Sequence, residues 1–282
     1  MAPAVAVPLA KSAGKRVGGE NFPVASLLLA AANRERVMAF YRFARTADDI
    51  ADDAGLGRAE KLARIDQFEL GLSGRFGAPE ALALHRALGG ESRLLAHASA
   101  LLHAFRRDSL EDHCRSWSDL MAYCTCSAAP VGRFLLDLHH QSDRLYPHAD
   151  SLCTALQVLN HLQDCGDDFR QLGRVYLPAD WMDASGLEAG TLNEPQGGPA
   201  LRHVMDLCLD RVEMLIDHAR ALPRLMSDRR LALETAIIVE IAARLAALLR
   251  RHDPLARRVR LSPQAFAAAC CRGIVTGLRR RS

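Results

Sequence analysis

Apolar residues recur every three to four positions along most of the chain, the spacing that lines one face of an α-helix. The pattern predicts helices over Pro23–Asp53 with a break near Asn33, Arg58–Phe76, Pro79–Ala87, Leu94–Arg106 and Trp117–Cys126. It continues over Val131–Tyr146, Ser151–Gln171, Ala200–Ala221, Asp228–His252 and Ser262–Arg280. Turn-forming residues separate these stretches: Gly55 and Gly57, Gly89-Gly90, Pro147, Gly173, and a loop from Asp180 to Pro199 that closes on Gly197-Gly198-Pro199. With no internal repeat and no long linker, the pattern reads as one all-α helical bundle over residues 21–282, preceded by a flexible arm over residues 1–20.

Composition supports the helical reading. Ala and Leu make 89 of the 282 residues, whereas Val, Ile and Thr together make 26, so residues that suit a pleated surface are scarce. A net charge of +3, with 33 of the 36 basic residues Arg, implies no nucleic-acid partner. No apolar run approaches the roughly 18 residues of a spanning helix, and the opening stretch, with Pro8 inside its apolar part, does not read as a signal peptide. The eight cysteines form no C-x-x-C pair and no zinc spacing with His, so they read as reduced thiols of a cytoplasmic protein. His139-His140 likewise have no metal spacing, and no E-x-x-H pair suggests a di-iron bundle.

Two acidic clusters change the picture from fold to chemistry. In the first, on a helical wheel centred on Tyr41, Arg45, Asp48 and Asp52 all fall within about 40° of it and Asp49 within about 80°. In the second, centred on Asn160, Asp164 and Asp167 fall within about 40°, Gln157 within about 60° and Asp168 within about 80°. Carboxylates one turn apart repel, so neither face serves helix stability, and a divalent cation reverses the sign. Carboxylates with an Asn carbonyl are hard oxygen donors that suit Mg2+, which keeps waters and bridges to phosphate oxygens. Either cluster alone reads as readily as a solvated helix end; the pair, at the same D-x-x-x-D spacing, points to a bound diphosphate.

The chain resembles the squalene and phytoene synthase family in four ordered stretches. They are Tyr41-x-x-x-Arg45-x-x-Asp48-Asp49-x-x-Asp52, Tyr123-Cys124-x-x-Ser127-Ala128-x-Pro130-Val131-Gly132, Gln157-x-x-Asn160-x-x-x-Asp164-x-x-x-Asp168, and Gly173-Arg174-Val175-Tyr176-Leu177-Pro178. Glu20 to Ser26 and Asn160 to Asp164 are most similar to the bacterial, hydroxysqualene-forming branch of hopanoid biosynthesis. Where the family usually has Arg before the second-cluster Asp, this chain has Gln163. The last of its four Tyr is Tyr176, and there is no anchor-like apolar stretch.

The resemblance implies an isoprenoid-synthase bundle with a central apolar cavity. It implies an enzyme, a carbon-oxygen lyase, that ionises presqualene diphosphate with Mg2+ and captures water, with no NADPH because no nucleotide fingerprint is present. Metal ligands are then Asp48, Asp52, Asn160 and Asp164, supported by Asp49, Asp167 and Asp168. Arg45 and Arg174 face the phosphates, Asn21, Phe22 and Gln157 contact substrate, Tyr41 and Tyr123 stabilise the cation, and Gln157 or Gln163 positions the water. Alternatives stay open: synthesis of presqualene diphosphate, squalene or dehydrosqualene from farnesyl diphosphate, or a catalytically silent helical partner. The small-residue break at Ser127 to Gly132 fits close approach of a prenyl chain and equally a plain proline kink. The small-molecule prenyl diphosphate is the expected partner. Peripheral contact at the inner face of the membrane, through the Arg-rich C-terminus, and association with other hopanoid-pathway enzymes are open alternatives.

Overall fold

The structure, a computed structural model, describes residues 31–111 and 113–278. The expected arm and the candidates Asn21 and Phe22 lie outside the described residues. In chain order the helices are α1 (Ala31–Asp52), α2 (Arg58–Leu72), α3 (Pro79–Ala87), α4 (Ser92–Asp108), α5 (Trp117–Ser127), α6 (Ala129–Leu138) and α7 (Tyr146–Leu172). There follow α8 (Ala179–Ala184), α9 (Pro199–Ala219), α10 (Leu222–Leu225), α11 (Arg229–Leu249) and α12 (Pro263–Leu278). Among the described residues there is no strand beyond one isolated bridge, His113 to Val175. No helix among them is long and apolar enough to cross a membrane.

Among the described residues two compact units emerge, one from residues 31–111 with 125–150, the other from 113–124 with 151–278; α5 and α7 contribute to both. In the first unit α1 packs on α2, α3 and α4, and α4 packs on α6. Its core holds Phe43, Ile65, Leu84, Leu94, Leu101 and Phe134, all fully buried. Phe40 stacks on Phe134 with centroids 4.0 Å apart, and Phe43 meets Phe68 edge-on at 5.4 Å. A Cβ on Gly71 would come within 2.6 Å of Ala81 Cβ, so only glycine allows α2 and α3 to approach this closely. In the second unit α11 packs on α9, α10 and α12. Asp228 caps α11, its carboxylate accepting the Arg230 and Leu231 N–H groups at 2.8 and 3.1 Å. Gly273 of α12 lies so close to α11 that a Cβ would sit 2.5 Å from Ile237 Cα.

Several boundaries differ from the sequence reading; α2, for one, stops at Leu72 instead of continuing to Phe76. α1 runs unbroken through Asn33. α6 stops at Leu138 instead of continuing to Tyr146, because His140 adopts φ 53° and its N–H returns to Asp137 O at 2.9 Å. A histidine in the left-handed region carries no glycine signal to betray the turn. α7 begins at Tyr146, five residues before the expected Ser151, since Pro147 sits in its first turn, where a missing N–H costs nothing. The expected loop after Asp180 also contains α8 and a short 3-10 segment, Ala189–Asn193. The cysteines are all free, as expected, and burial pushes the Cys165 thiol up to about 12 and the Cys208 thiol higher still, which makes them inert packing groups.

Candidate active site

The first acidic face is built by the register of α1. Val37, Phe40, Phe43, Ala44, Ala47 and Ala51 are buried, which anchors the helix and fixes the direction in which Tyr41, Arg45, Asp48 and Asp52 project. Asp48 is 5% exposed and Asp52 3%, an unusual burial for two carboxylates one turn apart on one face. Arg45 joins the cluster from within: its Nη2 lies 2.7 Å from Asp49 Oδ1 and its Nη1 3.4 Å from Asp48 Oδ2. Burial pushes the Asp49 carboxyl up; the Arg45 charge opposes this and the Asp52 charge adds to it, leaving the net direction upward. Ionising Asp49 on this face is therefore costlier than in water.

On α7, Gln157, Asn160, His161 and Asp168 are all buried. The Gln157 amide donates to His161 Nε2 at 3.1 Å, and His161 Nδ1 lies 4.0 Å from Asp168 Oδ2. The His161 ring stacks on Tyr176 at 3.9 Å with an interplanar angle of 11°, and Tyr123 tilts against both rings at 6.0 and 5.6 Å. Asp164 is partly exposed. Asp167 turns outward instead, pairing with Arg170 at 2.8 Å while its side chain is 44% exposed. Gln163 also points elsewhere: its amide donates to Val259 O at 2.7 Å, so this nitrogen anchors the segment after α11.

The second face continues into a strap. Gly173, at φ 67°, ends α7 with its N–H on Phe169 O at 2.9 Å, a left-handed cap that only glycine adopts without strain. The strap then runs beside residues 113–115, with Cys114 N–H on Val175 O and Ala179 N–H on Cys114 O, each at 3.0 Å. This pairing places Tyr176 on His161 and leaves Arg174 4% exposed. Trp117 and Trp181 stack at 5.6 Å beside it.

The donor chemistry fits Mg2+. Among the described residues no three His, Cys, Asp or Glu side chains form a ready metal cage. Magnesium does not ask for one: it is held through one or two carboxylates, its own waters and substrate phosphate oxygens. The buried carboxylates Asp48 and Asp52 on one helix, and Asn160 with Asp164 and Asp168 on the other, are hard oxygen donors of that kind.

His161 is the residue that sequence reasoning passed over at this site. A signal was present, since the same helical wheel puts His161 within about 40° of Gln157 and about 20° of Asp168.

A model of the squalene/phytoene synthase family matches residues 15–265. A hydroxysqualene synthase of Rhodopseudomonas palustris is 42% identical over 270 residues, 95% of this chain and 92% of that protein. One of Zymomonas mobilis subsp. mobilis is 41% identical over 249 residues, 87% of this chain and 84% of that protein. Among solved structures, squalene synthase HpnC from Alicyclobacillus acidocaldarius is similar with a TM-score of 0.70 at 29% identity, covering 81% of this chain and 87% of that one. A ligand-bound dehydrosqualene synthase shares the fold with a TM-score of 0.71 at 24% identity, over 89% of each chain. With all-α architecture, two acidic helix faces and a family match over most of its length, the chain belongs to the squalene/phytoene synthase family.

Proposed function

We propose that this protein is a hydroxysqualene synthase, a carbon-oxygen lyase that converts presqualene diphosphate and water into hydroxysqualene and diphosphate. The observation that carries the reading is the pair of D-x-x-x-D faces in a chain 41% to 42% identical, over most of its length, to proteins named for that activity.

Asp48 and Asp52 on α1, and Asn160 and Asp164 on α7, would hold magnesium, with Asp168 and Asp49 in support. When bound there, magnesium would supply Lewis-acid neutralisation of the leaving diphosphate. Arg45 holds Asp48 and Asp49 in place before the substrate arrives, and Arg174, buried beside the second face, donates to phosphate oxygens. Asp167 is paired with Arg170, and Asp167 and Asp49 are the more exposed of the acidic residues. Tyr41 and Tyr123, both buried, offer ring faces or hydroxyls to the carbocation left after ionisation. An aliphatic lining would be unreactive toward it and would keep out bulk water until rearrangement is complete. NADPH takes no part in this reaction. The protein acts in the cytoplasm, with its apolar substrate reached at the membrane's inner face.

The test is incubation of purified protein with presqualene diphosphate and Mg2+, without NADPH, followed by mass spectrometry. Hydroxysqualene with an equal yield of diphosphate is expected. Squalene formed only with NADPH, or turnover of farnesyl diphosphate alone, would select a sister activity of the family, and no diphosphate release from either substrate would mark a silent helical partner.

A further inference from the structure

Water capture requires a hydrogen-bonding group that holds one water inside an otherwise apolar wall. Ser127 meets that requirement. It ends α5, is 5% exposed, and its Oγ is buried without any hydrogen-bond partner among the described residues. A buried helical hydroxyl ordinarily returns to the carbonyl one turn back, and this protein does so elsewhere. Ser109 Oγ donates to Phe105 O at 2.8 Å, and Thr235 Oγ1 donates to Leu231 O at 2.8 Å. Ser127 departs from that habit at a place built of small groups, where α5 breaks and α6 restarts through Ala128, Ala129, Pro130 and, two residues on, Gly132, all buried. A buried polar atom with no partner calls for a water or a ligand. Tyr123 precedes it by four residues in the same helix.

We propose that Ser127 positions the water that is consumed in the reaction, an inference that rests on the hydroxysqualene-forming reading above. The water's oxygen lone pair forms the new C–O bond to the carbocation. The O–H proton displaced from the resulting oxonium passes to the released diphosphate, the base that the reaction itself supplies. Ser127 neither gains nor loses a proton; it accepts from or donates to the water and fixes its approach. Ionisation precedes this step and does not need the hydroxyl.

The test compares Ser127→Ala with wild type, and Ser127→Thr with Ser127→Val, on presqualene diphosphate with Mg2+. Diphosphate release is measured beside the product distribution, and thermal unfolding is recorded for each. Ser127→Ala and Ser127→Val are expected to release diphosphate within threefold of the rate of their controls, wild type and Ser127→Thr respectively. Both are expected to lower the hydroxysqualene share at least fivefold, in favour of products without the added oxygen, while Ser127→Thr keeps it. The Thr and Val side chains match in volume, so that pair holds packing constant if the alanine variant is poorly folded. An unchanged hydroxysqualene share in Ser127→Ala, or equal shares in the Thr and Val variants, overturns the water site alone. A wild-type protein that makes no hydroxysqualene overturns the parent reading and the water site with it.

Discussion

Asp137 on α6 and Asp48 on α1 are both buried aspartates of the same unit, and their surroundings differ in kind. The Asp137 side chain, 2% exposed, accepts from Arg93 Nε at 2.8 Å, His97 Nε2 at 2.7 Å and the Tyr146 hydroxyl at 2.8 Å. Burial by itself pushes that carboxyl up, but the three hydrogen bonds together hold it below the usual carboxylate range. Arg133 sits over the Tyr146 ring at 5.1 Å and grips Asp150 with two hydrogen bonds, so the cluster ties α4, α6 and the start of α7 together. Asp48 instead shares a helix face with Asp49 and Asp52 and meets Arg45 at 3.4 Å, and its neighbour Asp49 is shifted upward. The difference separates a carboxylate ringed by three donors from carboxylates set side by side on one helix face. The first holds helices in place; the second would, on the function proposed above, meet a cation.

Exchanging each aspartate for asparagine should split these roles. Asp48→Asn is expected to cut diphosphate release by ~10²-fold or more, the scale of losing several kcal/mol of Lewis-acid stabilisation, while the unfolding midpoint stays close to wild type. Asp164→Asn should do the same on α7, and near-normal rates in both would sink the two-face mechanism. Asp137→Asn should reverse the pattern: a stability loss of about 2–4 kcal/mol from stranding its donors, seen as a fall of ~5–10 °C in the thermal midpoint, with turnover of the folded fraction largely retained. Loss of activity with no loss of stability in that variant would erase the distinction.

The two sites should also diverge in their response to pH. Asp137, with a depressed folded value, contributes stability that is present above the ordinary carboxylate range of about 4 and is lost as pH falls through its lowered value. Asp137→Asn should therefore flatten the acid limb of a stability-versus-pH curve measured by chemical denaturation. Asp49, with a raised folded value, has the opposite sign: its proton is held more tightly in the folded state, so its contribution falls as pH rises through the interval between the ordinary and raised values. Asp49→Asn should remove that small decline. The smallest effect is expected at Asp167, half-buried and paired with Arg170, where asparagine should change diphosphate release by less than threefold and stability by under about 0.5 kcal/mol. A large effect there would show that the outward-turned carboxylate belongs to the working face after all.

Much of this is legible in the sequence. The wheel that aligned Asp48 with Asp52, and Asn160 with Asp164, depends only on 3.6 residues per turn, and each pair does lie within one helix. The environment of each residue was less legible. Asp167 and Gln163 share the α7 stretch with Asp164, yet one is turned to Arg170 and the other to the Val259 carbonyl, because the packing of α7 against the segment after α11 decides which side is covered. His161 lay on the right face but reads in a sequence as one of eleven histidines; its stack on Tyr176 exists only because the strap after Gly173 returns beside Cys114. Ser127 is the sharpest case, since its small neighbours do not by themselves show that its hydroxyl forgoes the bond one turn back that Ser109 makes.

Periodicity, residue spacing and ordered motifs are local properties of the chain, and they suffice for the long helices, the two acidic faces and the family. Packing alone settles which carboxylates are buried, which are satisfied by neighbours and which hydroxyl lacks a partner. Burial and pairing depend on residues distant in sequence, and the cost of a charge or a hydroxyl out of water is set by what those residues offer it.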